Sequence, residues 1–271
     1  MKLVALGTGT CLNAPPGQRA RMPPLFALDV GPSGDAPAWL LFECSEGARW
    51  RLSDKGIDPH AIAHVAVSHP HPDHAALPQF VQSRACEAIF GEGPRAKSLT
   101  VYLPPLPAAT LSSLWSWHQP EDGGAPSSRV GLRVAATHDG WSREVLPGVV
   151  LRAWKVAHGR SPAVAFRVEA HGKVFAYSGD AAPCDGLVRA ATGADVFVCE
   201  AASRVGVDLT ARYGHCNPKQ AGAVAREAGA RALWLTHYSG HDGAEAMCDD
   251  ARASGYEGAF RVARDGDEVV W

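Results

Sequence analysis

The stretch Ser68-His69-Pro70-His71-Pro72-Asp73-His74 places four metal-competent side chains within six consecutive positions. Each proline lacks a backbone donor and pushes the residue before it out of the helical region, so His69 and His71 are expected to be extended. Residues two apart on an extended chain point the same way. His69 and His71 can therefore reach one ion together, while Asp73 and His74 turn toward a second point. The pattern favours two adjacent metals over one. It differs from the helical H-E-x-x-H arrangement, whose histidines lie one turn apart and share a single zinc. A histidine-rich surface loop would account for any one of these residues alone, but the density of the whole run argues for a site.

Outward from this stretch, the apolar, β-branched run at 62–68 reads as a buried strand that delivers the motif at its end. A helix is expected from Leu77, with Pro78 in its first turn, to Phe90. Upstream, strands are expected at 2–6, 25–30 and 38–43, the last two joined by a hairpin through 31–37, and a helix at 46–55. Gly7-Thr8-Gly9 is followed by Asn13-Ala14-Pro15-Pro16-Gly17 and not by a helix, which argues for a turn and against a dinucleotide fingerprint.

Downstream, a strand is expected at 99–103, a helix at 108–118 carrying Trp115 and Trp117, and a polar, glycine-rich connection at 119–128. Further strands fall at 130–136, 149–156, 163–170 and 173–178, with His171-Gly172 as a hairpin turn. A helix at 185–192 and a strand at 195–199 come next. Asn217-Pro218-Lys219-Gln220 has the composition of a capped helix start, and Gly229 stops that helix. A strand is expected at 231–236. Asp242 and Glu245 form a second cap-like pair opening a helix that ends by Gly255, and 259–271 reads as a hairpin around Asp265-Gly266-Asp267.

The chain has 271 residues, 46% of them hydrophobic, enough for one large α/β domain or two small ones. The absence of a long linker favours a single domain over 1–271. A net charge of −2 argues against a long nucleic acid gripped by its backbone and leaves a small anionic or phosphodiester substrate as the expected partner. Seven cysteines, an odd number without a C-x-x-C pair, suggest reduced thiols and a cytoplasmic location. The apolar start at 1–6 is too short for a signal-peptide core, and no apolar run reaches the length of a membrane span, so no membrane association is expected.

Two metals seeded at 69–74 need further histidines and a carboxylate able to bridge them. His158, Asp180 and His237 each come after an expected strand, the place where sites collect in α/β proteins. His215, just before the capped helix, is a fourth candidate.

Together these residues resemble the metallo-β-lactamase superfamily through the order H-x-H-x-D-H, His158, Asp180, His237. The segments GTGT near the start, FECSEG at 42–47, YSGD at 177–180, CEA at 199–201, GHCNPKQAG at 214–222 and LTHYS at 235–239 resemble its ribonuclease Z-like branch. The resemblance implies a four-layer αββα sandwich, two mixed sheets face to face with helices outside. It also implies His69, His71 and His158 on one metal, Asp73, His74 and His237 on the other, and Asp180 between them. Glu43 and Ser45 stand where the branch usually has aspartate and glycine. The 22 residues from His158 to Asp180 leave no room for the protruding arm with which ribonuclease Z holds tRNA.

The expectation is a dinuclear metal-dependent hydrolase, a phosphodiesterase acting on a small nucleotide-like or nucleic-acid-end phosphodiester through a metal-bridging hydroxide. Zinc suits the histidine-rich set, and manganese or iron would satisfy the same ligands. Asp73 would orient the nucleophile, and His215, oriented by Glu200, would stabilise the transition state or protonate the leaving oxygen. Glu43 is a candidate outer partner for a ligand histidine. Arg19, Arg21, Trp115, Trp117 and His241 are candidates for substrate contact, and a homodimer is compatible with the chain. The alternatives are a tRNA 3′-processing endoribonuclease, a thioester, lactone or β-lactam hydrolase of the same superfamily, and a catalytically silent metal-binding scaffold.

Overall fold

A computed structural model describes residues 1–12, 16–17, 20–32, 35–90, 98–107, 109 and 132–271. The expected helix at 108–118, with Trp115 and Trp117, and the connection at 119–128 lie outside the described residues except for 109, as does Arg19.

Two seven-stranded sheets face each other. The first contains β1 (Lys2–Gly7), β2 (Leu25–Asp29), β3 (Trp39–Phe42), β4 (His64–Ala66), β5 (Thr100–Leu103), β6 (Arg133–Ala136) and β14 (Glu268–Val270), in the order β14-β1-β2-β3-β4-β5-β6. The second contains β7 (Trp141–Leu146), β8 (Val149–Lys155), β9 (Val164–Ala170), β10 (Lys173–Tyr177), β11 (Val196–Glu200), β12 (Ala232–Thr236) and β13 (Ala259–Val262), in the order β13-β12-β11-β10-β9-β8-β7. Each sheet is parallel on one side and antiparallel on the other. Parallel strands under crossover helices are buried on both faces, and β11 is buried throughout.

Three apolar layers separate the elements. Leu3, Phe26, Phe42, Phe166, Phe175 and Tyr177 pack between the sheets, with the Phe42 ring 5.0 Å from Phe175 and 6.2 Å from Phe166. Truncating a buried aromatic of this kind costs about 3–5 kcal/mol, so the sheets are held at a fixed separation. Helices Ala48–Asp54 and Leu77–Phe90 cover the outer face of the first sheet through Leu52, Phe80 and Val81. Helices Asp185–Ala191, Pro218–Ala228 and Ala244–Arg252 cover the second through Leu187, Val224 and Met247. The layers are α, β, β, α.

The alternation of β8 shows how sequence selects a face. Val149, Leu151 and Ala153 are buried between the sheets, while Arg152 points outward and meets Glu169 of β9 at 3.2 Å. The turn His171-Gly172 between β9 and β10 has positive φ at both residues, 52° and 69°, the conformation a tight hairpin demands. Asn217 caps its helix by accepting from the Gln220 N–H while the Gln220 side chain accepts from the Asn217 N–H, and Gly229 closes the helix at φ 63°.

Four features differ from the sequence reading. Residues 259–271 are not a hairpin: β13 extends the second sheet beside β12, and β14 crosses to the first beside β1. The turn between them crosses because Asp265 is drawn toward the first sheet, accepting from Thr8 N and Oγ1 and from Met22 N. Asp242 does not cap the next helix. It accepts from Val205 N and meets Arg204, and Gly243 takes the cap position without a side-chain bond. Strand β7 is not legible in the sequence because, as an edge strand, it is largely exposed and carries little apolar signal. Nor is the four-residue helix Thr210–Tyr213, which is too short for any periodicity.

Candidate metal centre

The strands end at one edge of the sandwich, and the residues just beyond those ends assemble the site. His69 to His74 come after β4, His158 after β8 and Asp180 after β10, while Glu200 ends β11 and His237 lies directly after β12. His215 precedes helix Pro218–Ala228. Within the His69–His74 stretch, the N–H groups of His74 and Ala75 both donate to His71 O at 2.9 Å. This tight turn swings Asp73 and His74 away from the direction of His69 and His71. Cys44 N donates to His74 O and Val164 N donates to Ser68 O, pinning the stretch to both sheets.

The side chains form two groups. His69, His71, His158 and Asp180 face one point, and Asp73, His74 and His237 face another. His69 Nε2 lies 2.9 Å from His71 Nδ1, and His158 Nε2 lies 3.2 Å from the same atom. His74 Nε2 is 3.3 Å from His237 Nε2, which is 3.5 Å from Asp73 Oδ2. Asp180 sits between the groups. Its Oδ2 is 3.6 Å from His69 Nε2 and 3.8 Å from His158 Nε2, and its Oδ1 is 3.4 Å from His74 Nε2 and 3.5 Å from His237 Nδ1.

These separations fit divalent cations. A tetrahedral ion with ligands at about 2.0–2.1 Å holds neighbouring donor atoms about 3.3–3.4 Å apart, the middle of the range seen. Asp180 Oδ1 and His237 Nδ1 are buried without a hydrogen-bond partner, an arrangement that is costly unless a cation completes it. The electrostatics agree. Burial, with the neighbouring His74 adding to it, holds the His69 imidazolium pKa well below its usual range, and burial also lowers His71 and His158. All three therefore present neutral lone pairs. Burial would raise Asp73, but the bond and charge of His237 and the charge of His74 bring it down to about 2. Burial would likewise raise Asp180, yet His237, His74 and His69 hold it well below the carboxylate range. His69, His71 and His158 thus offer neutral nitrogens and the two aspartates ionised oxygens, a donor set suited to zinc. His74 differs: burial would lower it, but Asp180 and Glu43 raise it well above the imidazole range, so it would have to release a proton to a bound cation.

A shell of further contacts orients the rings, as ligand histidines require. Ser68 Oγ meets His69 Nδ1 at 2.9 Å, and Gly214 O meets His158 Nδ1 at 3.2 Å. Glu43, fully buried at φ 65°, directs Oε1 at His74 Nδ1 from 3.3 Å and accepts from Ser68 N with Oε2. One carboxylate thus supports His74 directly and His69 through Ser68. His237 is also held at positive φ, 57°, with its N–H donating to Thr8 O. Non-glycine residues in this region are uncommon and gather where side chains must be aimed.

His215 stands beside both groups. Its Nδ1 is 2.9 Å from Glu200 Oε1 and 4.0 Å from Asp180 Oδ2, and its ring lies 4.9 Å from that of His158. Glu200 also accepts from Ala181 N, Ala202 N and Cys216 N, so its carboxylate is fixed. Burial would lower His215, but the charge and hydrogen bond of Glu200 raise it to about 9. His215 can also be grouped with Asp180 and His237 as a ligand set, though Nδ1 is committed to Glu200.

Every expected ligand residue reaches the cluster. Arg21 is stacked 4.4 Å from the centroid of the Tyr238 ring, and His241 is exposed and bonded to Ser239. Sequence reasoning passes over Asp265, legible only as a turn residue, and Arg51, whose guanidinium donates to Pro23 O and to Ser45 Oγ. Ser45, in place of the branch's usual glycine, is an acceptor for that buried cation. Two cavities, about 560 and 540 Å³, are lined by residues of helix Ala48–Asp54 and by none of the histidines. All seven cysteines are free, and no helix among the described residues is long and apolar enough to cross a membrane.

A two-sheet sandwich with a His/Asp cluster at the carboxyl ends of its strands defines a metal-dependent hydrolase. Residues 38–238 match the Beta-lactamase superfamily domain, and the chain belongs to that family. It is similar to ribonuclease Z from Methanothermobacter thermautotrophicus, 27% identical over 246 residues that cover 74% of this chain and 77% of that protein. It is also similar to ribonuclease BN from Escherichia coli O1:K1, 28% identical over 283 residues, covering 88% and 89%. Among solved structures, the metallo-beta-lactamase fold protein YhfI from Bacillus subtilis shares the fold with a TM-score of 0.79 at 20% identity, covering 99% of this chain and 98% of that one.

Proposed function

We propose that this chain is a single-domain, dinuclear phosphodiesterase acting on a small nucleotide-like or nucleic-acid-end phosphodiester. The observation that carries the reading is the His215–Glu200 pair. A histidine beside both ligand clusters, its Nδ1 2.9 Å from a buried carboxylate, supports a proton donor whose other nitrogen would serve the substrate. Departure of an alkoxide from phosphorus needs such a proton. The ribonuclease names of the relatives support a phosphodiester. The interval from His158 to Asp180 is filled by β9, the His171-Gly172 turn and β10, which disfavours a substrate as large as tRNA.

His69, His71 and His158 would hold one cation, and Asp73, His74 and His237 the other, with Asp180 shared; zinc is the cation best suited to this set. When bound, two such cations supply positive charge to the phosphoryl oxygens and make water acidic enough to attack near neutral pH. The Asp73 carboxylate would orient the attacking water. His215 gives its proton to the leaving oxygen, and Glu200 stabilises the charged imidazole until it does.

The test is a substrate panel on metal-analysed protein: bis(p-nitrophenyl) phosphate, a 2′,3′-cyclic nucleotide, a pre-tRNA, a thioester and a β-lactam. Phosphodiester cleavage is expected, reduced about 10²–10⁴-fold by His215→Ala with metal content unchanged. Rapid thioester cleavage with no phosphodiester cleavage would overturn the proposal, and metal loss in His215→Ala would make His215 a ligand.

A further inference from the structure

The cavity of about 540 Å³ between Leu6, Met22 and Gly266 has a charge pattern that the metal centre does not use. Arg21, Arg51, Lys55 and Arg264 line it, against Asp54 and Asp265. Asp265 supports the Arg51 charge, with Glu46 adding to it, but neither is ion-paired with it. Asp265 is already engaged, with Oδ1 accepting from Thr8 N at 2.9 Å and Thr8 Oγ1 at 2.7 Å, and Oδ2 from Met22 N at 2.9 Å. Asp54 is exposed.

The cations are correspondingly short of acids. Arg51 is only 7% exposed, yet its guanidinium donates to neutral acceptors alone, among them Pro23 O at 2.7 Å and Leu6 O at 3.4 Å. Among the described residues, Arg21, Arg51 and Arg264 have no carboxylate within 4.0 Å, and Lys55 has one, Glu268 at 3.3 Å. A guanidinium keeps its charge at any ordinary pH, and Arg51, buried with Asp265 acting on it but no carboxylate paired to it, carries a charge that a bound anion would stabilise. The carbonyl bonds of Arg51 explain how it cross-links the loops. Arg21 is held by the Tyr238 ring and Lys55 by Gly266 O and Glu268, and with Arg264 they line the same cavity as Arg51.

We propose that this cavity is an anion subsite that binds a phosphate group. The volume suits a small ligand's phosphate-bearing end, and planar guanidinium forks match phosphate oxygens in pairs. The subsite is tied to the metal centre by a short path: Asp265 holds Thr8, and Thr8 O accepts from His237 N at 2.8 Å. The phosphate comes either from a distal part of the substrate or from free phosphate in solution. The binding claim stands apart from the phosphodiesterase reading; only the substrate source rests on it.

The experiment is calorimetric titration of the full, metal-loaded chain with inorganic phosphate, alongside Arg264→Glu and Lys55→Gln. Both side chains lie at the surface, so folding and metal content should be retained and are measured first. Phosphate binding should weaken at least tenfold in Arg264→Glu and by a smaller factor in Lys55→Gln. Isotherms identical across the three proteins, as phosphate binding at the metals alone would give, overturn the subsite. For the source, KM is compared for bis(p-nitrophenyl) phosphate and a 5′-phosphorylated dinucleotide. A tenfold rise in Arg264→Glu confined to the dinucleotide assigns the subsite to the substrate's own phosphate. Unchanged KM values, with a rate that responds to added phosphate only in the unaltered chain, assign it to free phosphate. Failure to cleave either ester with the phosphate isotherms intact would sink the phosphodiesterase reading and leave the subsite standing.

Discussion

At the scale of single residues, the two carboxylates behind the histidines have separable consequences. Glu200 raises His215 to about 9 despite its burial. A proton donor works in its charged form, so in the proposed role His215 would be competent below that pKa and would lose competence as pH rises through it. Glu200→Gln removes the charge that favours imidazolium and should move the alkaline limb of the pH–rate profile to lower pH, with melting temperature and metal content as controls. Glu43 acts on binding. Its Oε1 faces His74 Nδ1 at 3.3 Å and its Oε2 accepts from Ser68 N, so Glu43→Gln disturbs one group directly and the other through Ser68. Metal affinity should fall about 10–100-fold, as for other outer partners of ligand histidines, which equilibrium dialysis against competing chelators would measure. An unchanged affinity would reduce Glu43 to a core residue.

At the scale of elements, the loop before helix Pro218–Ala228 is held by close backbone contact. Gly214 has φ 75°, and a Cβ there would collide with His158 Cα and with Gly159 N. Gly172 has nearly the same φ, 69°, but open space around it. Replacing each by alanine separates conformation from crowding. Gly172→Ala should cost about 1 kcal/mol, whereas Gly214→Ala should cost clearly more and also displace His158 and His215, lowering activity beyond the stability loss. Equal melting temperatures and equal activities for the two variants would contradict this account. The elements also show where the sequence was legible. Asn217, Pro218, Gln220 and Gly229 carry their instructions locally, through a side chain that caps, a ring that fixes φ and a glycine that allows the left-handed turn. Asp242 has the same local appearance as a cap, but Val205 N and Arg204 compete for it and win. The competing partners are distant in sequence, so nothing nearby warns of them.

For the whole molecule, the metals would act as a fastening between sheets. His69 and His71 lie after β4 of the first sheet and His158 after β8 of the second; Asp73 and His74 likewise meet His237, which lies after β12. Cations that bind only the folded chain add about 4 kcal/mol at a thousandfold excess over Kd. Chelation should therefore lower the thermal midpoint by roughly 10 °C, restored by zinc, and an unchanged midpoint would argue against a site shared between the sheets. The sequence by itself determined the paired ligand pattern at 69–74, because two prolines force an extended chain and an extended chain alternates its side chains. It also pointed to His158, Asp180 and His237 as members of the same cluster, because their order and local motifs resemble those of a known family. Only the tertiary structure decided that β13 and β14 separate into different sheets. Only there did Asp180 turn one oxygen to each group, and Arg51, Asp265 and the surrounding cations acquire a common cavity. Those outcomes depend on contacts between residues far apart in the chain, whose geometry no local propensity encodes.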